Sequence, residues 1–224
     1  ERVTGEVGDR QALRDCLQGT EAVIYLIGIL REFPGRGITF EALQHQGVVD
    51  TIAAAQDLGV GRFVLMSANG IRADGTAYQR TKFQAEEAVK SSGLRWTIFR
   101  PSVVFGDPRG RTEFCSQLRK DIIESPVPAP LFYSGLLPTN AGSFELAPVS
   151  VTDVAAAFAQ ALTDQGTESR TYELCGPERL TWKAILSTIA QAAGRGNKWM
   201  LPAPAMALEY GRHRLDRHRR RRQH

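Results

Sequence analysis

Two side chains near the middle of the sequence have the types and the spacing to move a proton. In TAYQRTKFQAEEAV, Tyr78 and Lys82 stand four residues apart, which on a helix puts both on one face, about a turn from each other. Upstream, Ser67 closes the run RFVLMS. A phenol titrates near ~10, too high for a base at neutral pH, but a neighbouring ammonium stabilises phenolate and lowers that value. Lys82 would supply the charge, Ser67 would hold a carbonyl or alcohol oxygen, and Tyr78 would give or take its proton. The plainer reading is an amphipathic helix on which a tyrosine and a lysine share a face by chance.

A proton-transfer set needs elements to hold it. Apolar runs rich in β-branched residues alternate with helical patterns, which predicts an α/β protein with a parallel sheet covered by helices. Strands are expected over residues 2–7, 22–28, 62–67, 96–100 and 170–174, and helices over 9–17, 39–58, 76–91, 112–123, 152–162 and 181–193. AVIYLIG and RFVLMS are short and continuously apolar, the pattern of strands buried on both faces. Thr39, Thr76, Ser150 or Thr152, and Thr181 can cap helix starts, and Gly59, Gly93 and Gly194 can end helices. In a doubly wound sheet, ligands bind at the carboxyl ends of the strands, so Ser67 falls where chemistry would happen. Residues 125–142, with their Pro, Gly and Asn, read as a long loop leading into a smaller substrate lobe. Trp96, Trp182 and Trp199 are assigned to packing. The loop REFPGRG either borders the site or is solvated, and both readings stand.

With 224 residues, 42% of them hydrophobic, the chain suffices for one domain, or one plus a small lobe. No apolar run approaches the ~20 residues of a membrane span, and no secretory leader pattern opens the chain, so a cytoplasmic protein without a transmembrane segment is the default. Cys16, Cys115 and Cys175 are widely spaced with no CxxC, which points to reduced thiols and no metal site. The net charge of +4 is unevenly placed. The tail RHRLDRHRRRRQH holds seven arginines against one aspartate, whereas the remaining residues hold 21 Lys+Arg against 23 Asp+Glu. Such a tail could bind nucleic acid or an anionic membrane weakly, or be a disordered extension.

Glycines give no phosphate loop: GRG at 35–37 and GVGR at 59–62 lack the strand–GxGxxG–helix context. Even so, a strand-end serine before YxxxK and IFRPSVVFG after it predict a nucleotide-cofactor site. The run from AVIYLIG through YQRTKFQAEEAV to WTIFRPSVVFGDP resembles the atypical and extended short-chain dehydrogenase/reductases. Within them it is most similar to the NAD(P)-binding accessory-subunit family of respiratory complex I, especially its bacterial members. LIGILREFPGRGITFEALQHQGVVDTIAAAQDLGVGRFVLMSANG is the most specific stretch, and FELAPVSVTDVAAAFAQAL and RTYELCGPERLTWKAIL also fit. The likeness covers residues 3–204 and stops at the arginine tail.

The resemblance implies NAD or NADP as cofactor and assigns roles residue by residue. Asp9 would contact the adenine region, and Gly28 would let the backbone approach the cofactor. Ser67, Tyr78 and Lys82 would match the catalytic serine, tyrosine and lysine, with Lys82 also holding the nicotinamide ribose. Pro101, Ser102, Val103 and Val104 would line the nicotinamide. Arg100 is expected to anchor a strand end and Asp153 to cap a helix. The family's first strand, phosphate loop, first helix and second strand find no counterpart. The expected fold is therefore a Rossmann-like doubly wound parallel sheet lacking its first βαβ half-unit, with a small C-terminal substrate lobe. On that reading the chain is a fragment that binds dinucleotide poorly, since the helix N-terminus that takes the diphosphate is missing. The expected division is 1–124 for a partial NAD(P)-binding domain, 125–204 for the substrate lobe plus returning Rossmann elements, and 205–224 for a basic tail.

Two functions from different classes follow. One is an oxidoreductase or epimerase-like enzyme moving hydride between nicotinamide and a carbonyl or alcohol carbon of an unidentified small molecule. The other is a non-catalytic NAD(P)-binding accessory or assembly protein of a respiratory or quinone-related complex, partnered by its subunits and peripheral to the inner membrane.

Overall fold

The computed structural model describes residues 2–107 and 109–205, so the basic tail from residue 206 onward lies outside the described residues. In chain order the elements are α1 (Arg10–Leu17), β1 (Ala22–Tyr25), a π-helical stretch (Glu41–Gln46) running into α2 (Gly47–Asp57), β2 (Arg62–Met66), α3 (Ala77–Ser91) and β3 (Arg95–Pro101). There follow β4 (Val104–Phe105), α4 (Phe114–Leu118) with a π-helical extension (Arg119–Ile123), β5 (Ala129–Tyr133) and β6 (Glu145–Leu146). The last described elements are β7 (Val149–Ser150), α5 (Val151–Thr163), β8 (Arg170–Leu174), β9 (Leu180–Thr181), α6 (Trp182–Ala192) and β10 (Met200–Pro204). None of the described helices is long and apolar enough to cross a membrane.

The chain forms two compact units, residues 2–102 with 149–175, and residues 103–148 with 176–205. The first is a parallel four-stranded sheet in the order β1-β2-β3-β8. RFVLMS is buried on both faces as its composition predicts. Phe63 and Leu65 join the core beneath α2 and α3, with Val48, Ile52, Ala55, Ala85, Val89 and Ile98. On the opposite face, Phe99 meets Phe158 of α5 at 4.7 Å between ring centroids. Arg62, 4% exposed, lies within this layer because its guanidinium donates to the Ala161 carbonyl and to the Thr97 and Thr167 hydroxyls. A buried charge persists only when its donors are used in this way.

Residues 2–7 do not form the expected strand. No described strand pairs with them, and an extended segment without a ladder has nothing to hold its backbone groups. Val7 instead packs on the core, and Gly5 lies so close to α1 that a Cβ there would strike that of Ala12. The helix punctuation follows the chemistry predicted for it. Thr76 and Gln79 make a reciprocal capping box at α3, Ser150 and Thr181 cap α5 and α6, and Gly59, Gly93 and Gly194 take φ of 72°, 74° and 67° just past helix ends. Asp153 lies in the first turn of α5, but the capping hydrogen bond comes from Ser150.

In the second unit, β5 and β10 run parallel and α6 packs on them through Trp182, Leu186 and Ala190 against Ile123, Ala129 and Leu131. The Trp182 indole N–H donates to the Pro130 carbonyl at 2.8 Å. Trp96 and Trp182 pack as expected, whereas Trp199 is 78% exposed. It precedes Met200, whose side chain takes the inward position, and the pleat turns its neighbour outward.

Candidate functional site

The site is built where β2 ends and α3 begins. The Ser67 N–H donates to the Phe99 carbonyl at 2.7 Å, which extends the pairing of β2 with β3 by one residue past Met66. This fixes the Ser67 side chain at the carboxyl edge of the sheet, 4% exposed. Its Oγ is buried without a hydrogen-bond partner among the described residues. Leaving a buried hydroxyl unpaired costs about 1–3 kcal/mol, so a ligand oxygen at that position would be welcome.

Lys82 reaches the same strand end from α3. It is 4% exposed, and its ammonium donates to the Met66 carbonyl at 2.9 Å, on the peptide that leads into Ser67. Burial pulls Lys82 down to about 8, while the Glu86 carboxylate partly opposes that shift. On its other side lies Gly28: a Cβ there would stand 3.3 Å from Lys82 Nζ. The absent side chain is what lets the segment after β1 settle over the ammonium. Gly28, Lys82 and the end of β2 are thus brought together from three separate segments.

Tyr78 lies in the first turn of α3, one turn before Lys82. Its ring is half-buried and meets Phe40 edge-on, with centroids 5.7 Å apart at 81°. Burial raises the Tyr78 phenol above its ordinary value. Burial, rather than the lowering that a nearby ammonium predicts, sets the direction of this shift. At rest, then, Tyr78 is a protonated phenol, suited to act as an acid.

The remaining predicted residues are placed as follows. Pro101 ends β3 in a buried position, and the Ser102 N–H donates to the Leu174 carbonyl at 2.9 Å. Val103 and Val104 belong to the second unit. Asp9 is the cap of α1, its carboxylate accepting from the Gln11 and Ala12 N–H groups. Arg100 anchors its strand as expected, through a two-pronged bond to Glu86 at 2.9 and 2.7 Å. Glu86, fully buried, was not apparent from the sequence; its position four residues after Lys82 on the same helix face was the available signal.

The Lys82 shift carries a stability consequence. Between about 8 and the ordinary 10.5, the unfolded chain holds more of this proton than the folded one. Stability should therefore rise with pH across that window. Denaturant midpoints at pH of about 7.5 and about 9.5 test this, and Lys82→Met should flatten the rise.

Comparison with known proteins follows the same lines. Residues 1–124 match a family described as NAD(P)H-binding. The chain is 32% identical over 178 residues to the "NADH dehydrogenase [ubiquinone] 1 alpha subcomplex subunit 9, mitochondrial" of Arabidopsis thaliana, covering 77% of this chain and 40% of that protein. It is 28% identical over 197 residues to the "(4-alkanoyl-5-oxo-2,5-dihydrofuran-3-yl)methyl phosphate reductase" of Streptomyces griseus, covering 87% of this chain and 60% of that one. A short-chain dehydrogenase/reductase superfamily protein from Agrobacterium tumefaciens, solved with NAD bound, shares the fold with a TM-score of 0.69 at 22% identity, over 92% of this chain and 74% of that one. The chain thus spans less than two thirds of the length of either curated relative, 40% of one and 60% of the other.

Proposed function

The chain belongs to the NAD(P)H-binding family that its residues 1–124 match, and from that premise we propose that it is an oxidoreductase reducing a carbonyl carbon, with Tyr78 as the acid. The observation that carries this reading is the pairing of an unpartnered, buried Ser67 hydroxyl with the Lys82 ammonium at one strand end. Both fit a nicotinamide riboside and a substrate oxygen. Lys82 spends one of its three N–H groups on the Met66 carbonyl, which leaves donors for ribose hydroxyls. Gly28 offers bare backbone to the cofactor, Pro101 and Ser102 line its nicotinamide end, and Asp9 is the candidate for its adenine end. Bound there, NAD(P)H supplies the hydride equivalent. Ser67 orients the carbonyl oxygen, Tyr78 gives that oxygen its proton, and a C–H and an O–H bond replace the C=O π bond.

A second reading draws on the Tyr78 phenol, which burial raises rather than lowers. It is a nucleotide-binding accessory protein that uses the same groove for cohesion rather than turnover, docked on subunits of a respiratory complex at a membrane. NAD(P)H oxidation by the purified protein with a panel of aldehydes, ketones and quinones separates the two. Turnover supports the first; tight binding with no turnover on any of them supports the second.

A further inference from the structure

An acid that gives its proton to a substrate oxygen cannot also use its hydroxyl as an anchor, so the ring that carries it has to be held by its edges and faces. For Tyr78 the described ring contact is with Phe40. The two rings meet edge-on, with centroids 5.7 Å apart and planes at 81°, which sets the positive edge of one against the negative face of the other. Such a contact has a direction, which aliphatic packing lacks.

Phe40 is itself fixed through its backbone. It stands at the start of the stretch Glu41–Gln46, where a helix leaves N–H groups without intrahelical partners. The Glu32 carboxylate accepts from the Phe40 N–H at 2.8 Å, and the Thr39 hydroxyl accepts from the Ala42 N–H at 3.1 Å. Glu32 is brought within reach by an antiparallel bridge between Phe33 and Ile38, in which the Phe33 N–H donates to the Ile38 carbonyl at 2.7 Å. The loop REFPGRG is thereby closed on itself, and one of its carboxylates is tied to the residue that touches the phenol ring. We propose that Phe40 is a positioning residue for the Tyr78 phenol, and that Glu32 sets the place of Phe40. The inference rests on the reading of Tyr78 as the acid.

In Phe40→Leu, an apolar side chain still fills the space but the directed contact is gone. The kcat for carbonyl reduction is expected to fall about tenfold, the upper scale of an edge-on aromatic pair, while the NAD(P)H Kd stays within about twofold. Phe40→Tyr, which keeps the ring, should restore kcat. Glu32→Ala should lower kcat about threefold, the scale of one modest hydrogen bond. The double variant Glu32→Ala/Phe40→Leu should lose no more than Phe40→Leu alone, because Glu32 acts through Phe40. A readout independent of turnover is fluorine NMR of protein carrying 3-fluorotyrosine. Of the five tyrosine signals, that of Tyr78 is identified by its loss in Tyr78→Phe. It should be single in the unmutated protein and broaden or split in Phe40→Leu as the ring samples other rotamers, while the signal of the buried Tyr25 is unchanged.

A Phe40→Leu protein of lowered stability, with kcat and the Tyr78 signal unchanged, would make Phe40 a packing residue and overturn the inference while leaving the acid role of Tyr78 intact. If Phe40→Leu does not fold, an unchanged kcat and an unchanged Tyr78 signal in Glu32→Ala overturn it instead. No turnover by the unmutated protein would end the acid role of Tyr78, and the fluorine signal would then decide by itself whether Phe40 holds the ring.

Discussion

Tyr78→Phe is expected to lower kcat for carbonyl reduction about a hundred- to ten-thousandfold, the usual contribution of a positioned acid, while NAD(P)H affinity stays within about twofold. The ring itself is kept, so its edge-on contact with Phe40 survives and the fold is not disturbed. Only the proton is lost. Because burial raises this phenol, it stays protonated through the neutral range and needs no activation to serve in the reductive direction. The upper limb of a pH–rate profile should therefore come from Lys82, held at about 8, rather than from Tyr78. A Tyr78→Phe protein that turns over like the unmutated one would show the proton to come from elsewhere.

Glu86→Ala is expected to cost about 3 kcal/mol of stability, read from the denaturant midpoint. Glu86 is fully buried, and its carboxylate takes both prongs of Arg100, with Lys90 at 3.6 Å. Removing it strands a guanidinium whose side chain is only 25% exposed. The figure sits at the low end for a broken buried pair because Glu173 remains 3.8 Å from Arg100. Glu86→Gln should cost less, since an amide oxygen can still accept from the guanidinium. Both variants should lower Lys82 further below about 8, because Glu86 is the charge that holds it up. A loss under about 1 kcal/mol in Glu86→Ala would mean that water or Glu173 replaces the pair fully.

The catalytic candidates were legible because they depend on short-range rules. Tyr78 and Lys82 share a helix face by spacing alone, and the Thr76–Gln79 box that starts this helix is written within four consecutive residues. RFVLMS announces a strand covered on both faces, and a strand-end serine falls at the carboxyl edge of any parallel sheet. Buried polar groups that tie distant segments together were not legible. Gln44 looks like one more polar residue on an amphipathic helix, and Arg62 like an ordinary charge at the start of a strand. Each is explained by partners far along the chain, Ile29 and Thr81 in one case, Ala161 and Thr167 in the other. The expected strand at residues 2–7 failed for a related reason, since a strand exists only where a neighbour completes its ladder.

Residue order alone determined the alternation of strands and helices, the helix caps, and the presence of a serine, a phenol and an ammonium at addresses that a parallel sheet gathers at one edge. These follow from local sterics and from periodicity, which act within a few residues. Tertiary structure decided the state of those groups: a lysine held at about 8, a phenol raised rather than lowered, and a serine hydroxyl buried without a partner. Proton affinity and hydrogen-bond satisfaction depend on how much water is removed and on which distant carbonyls and carboxylates replace it, and that is settled only when the sheet, its helices and the Gly28 segment close around the same few atoms.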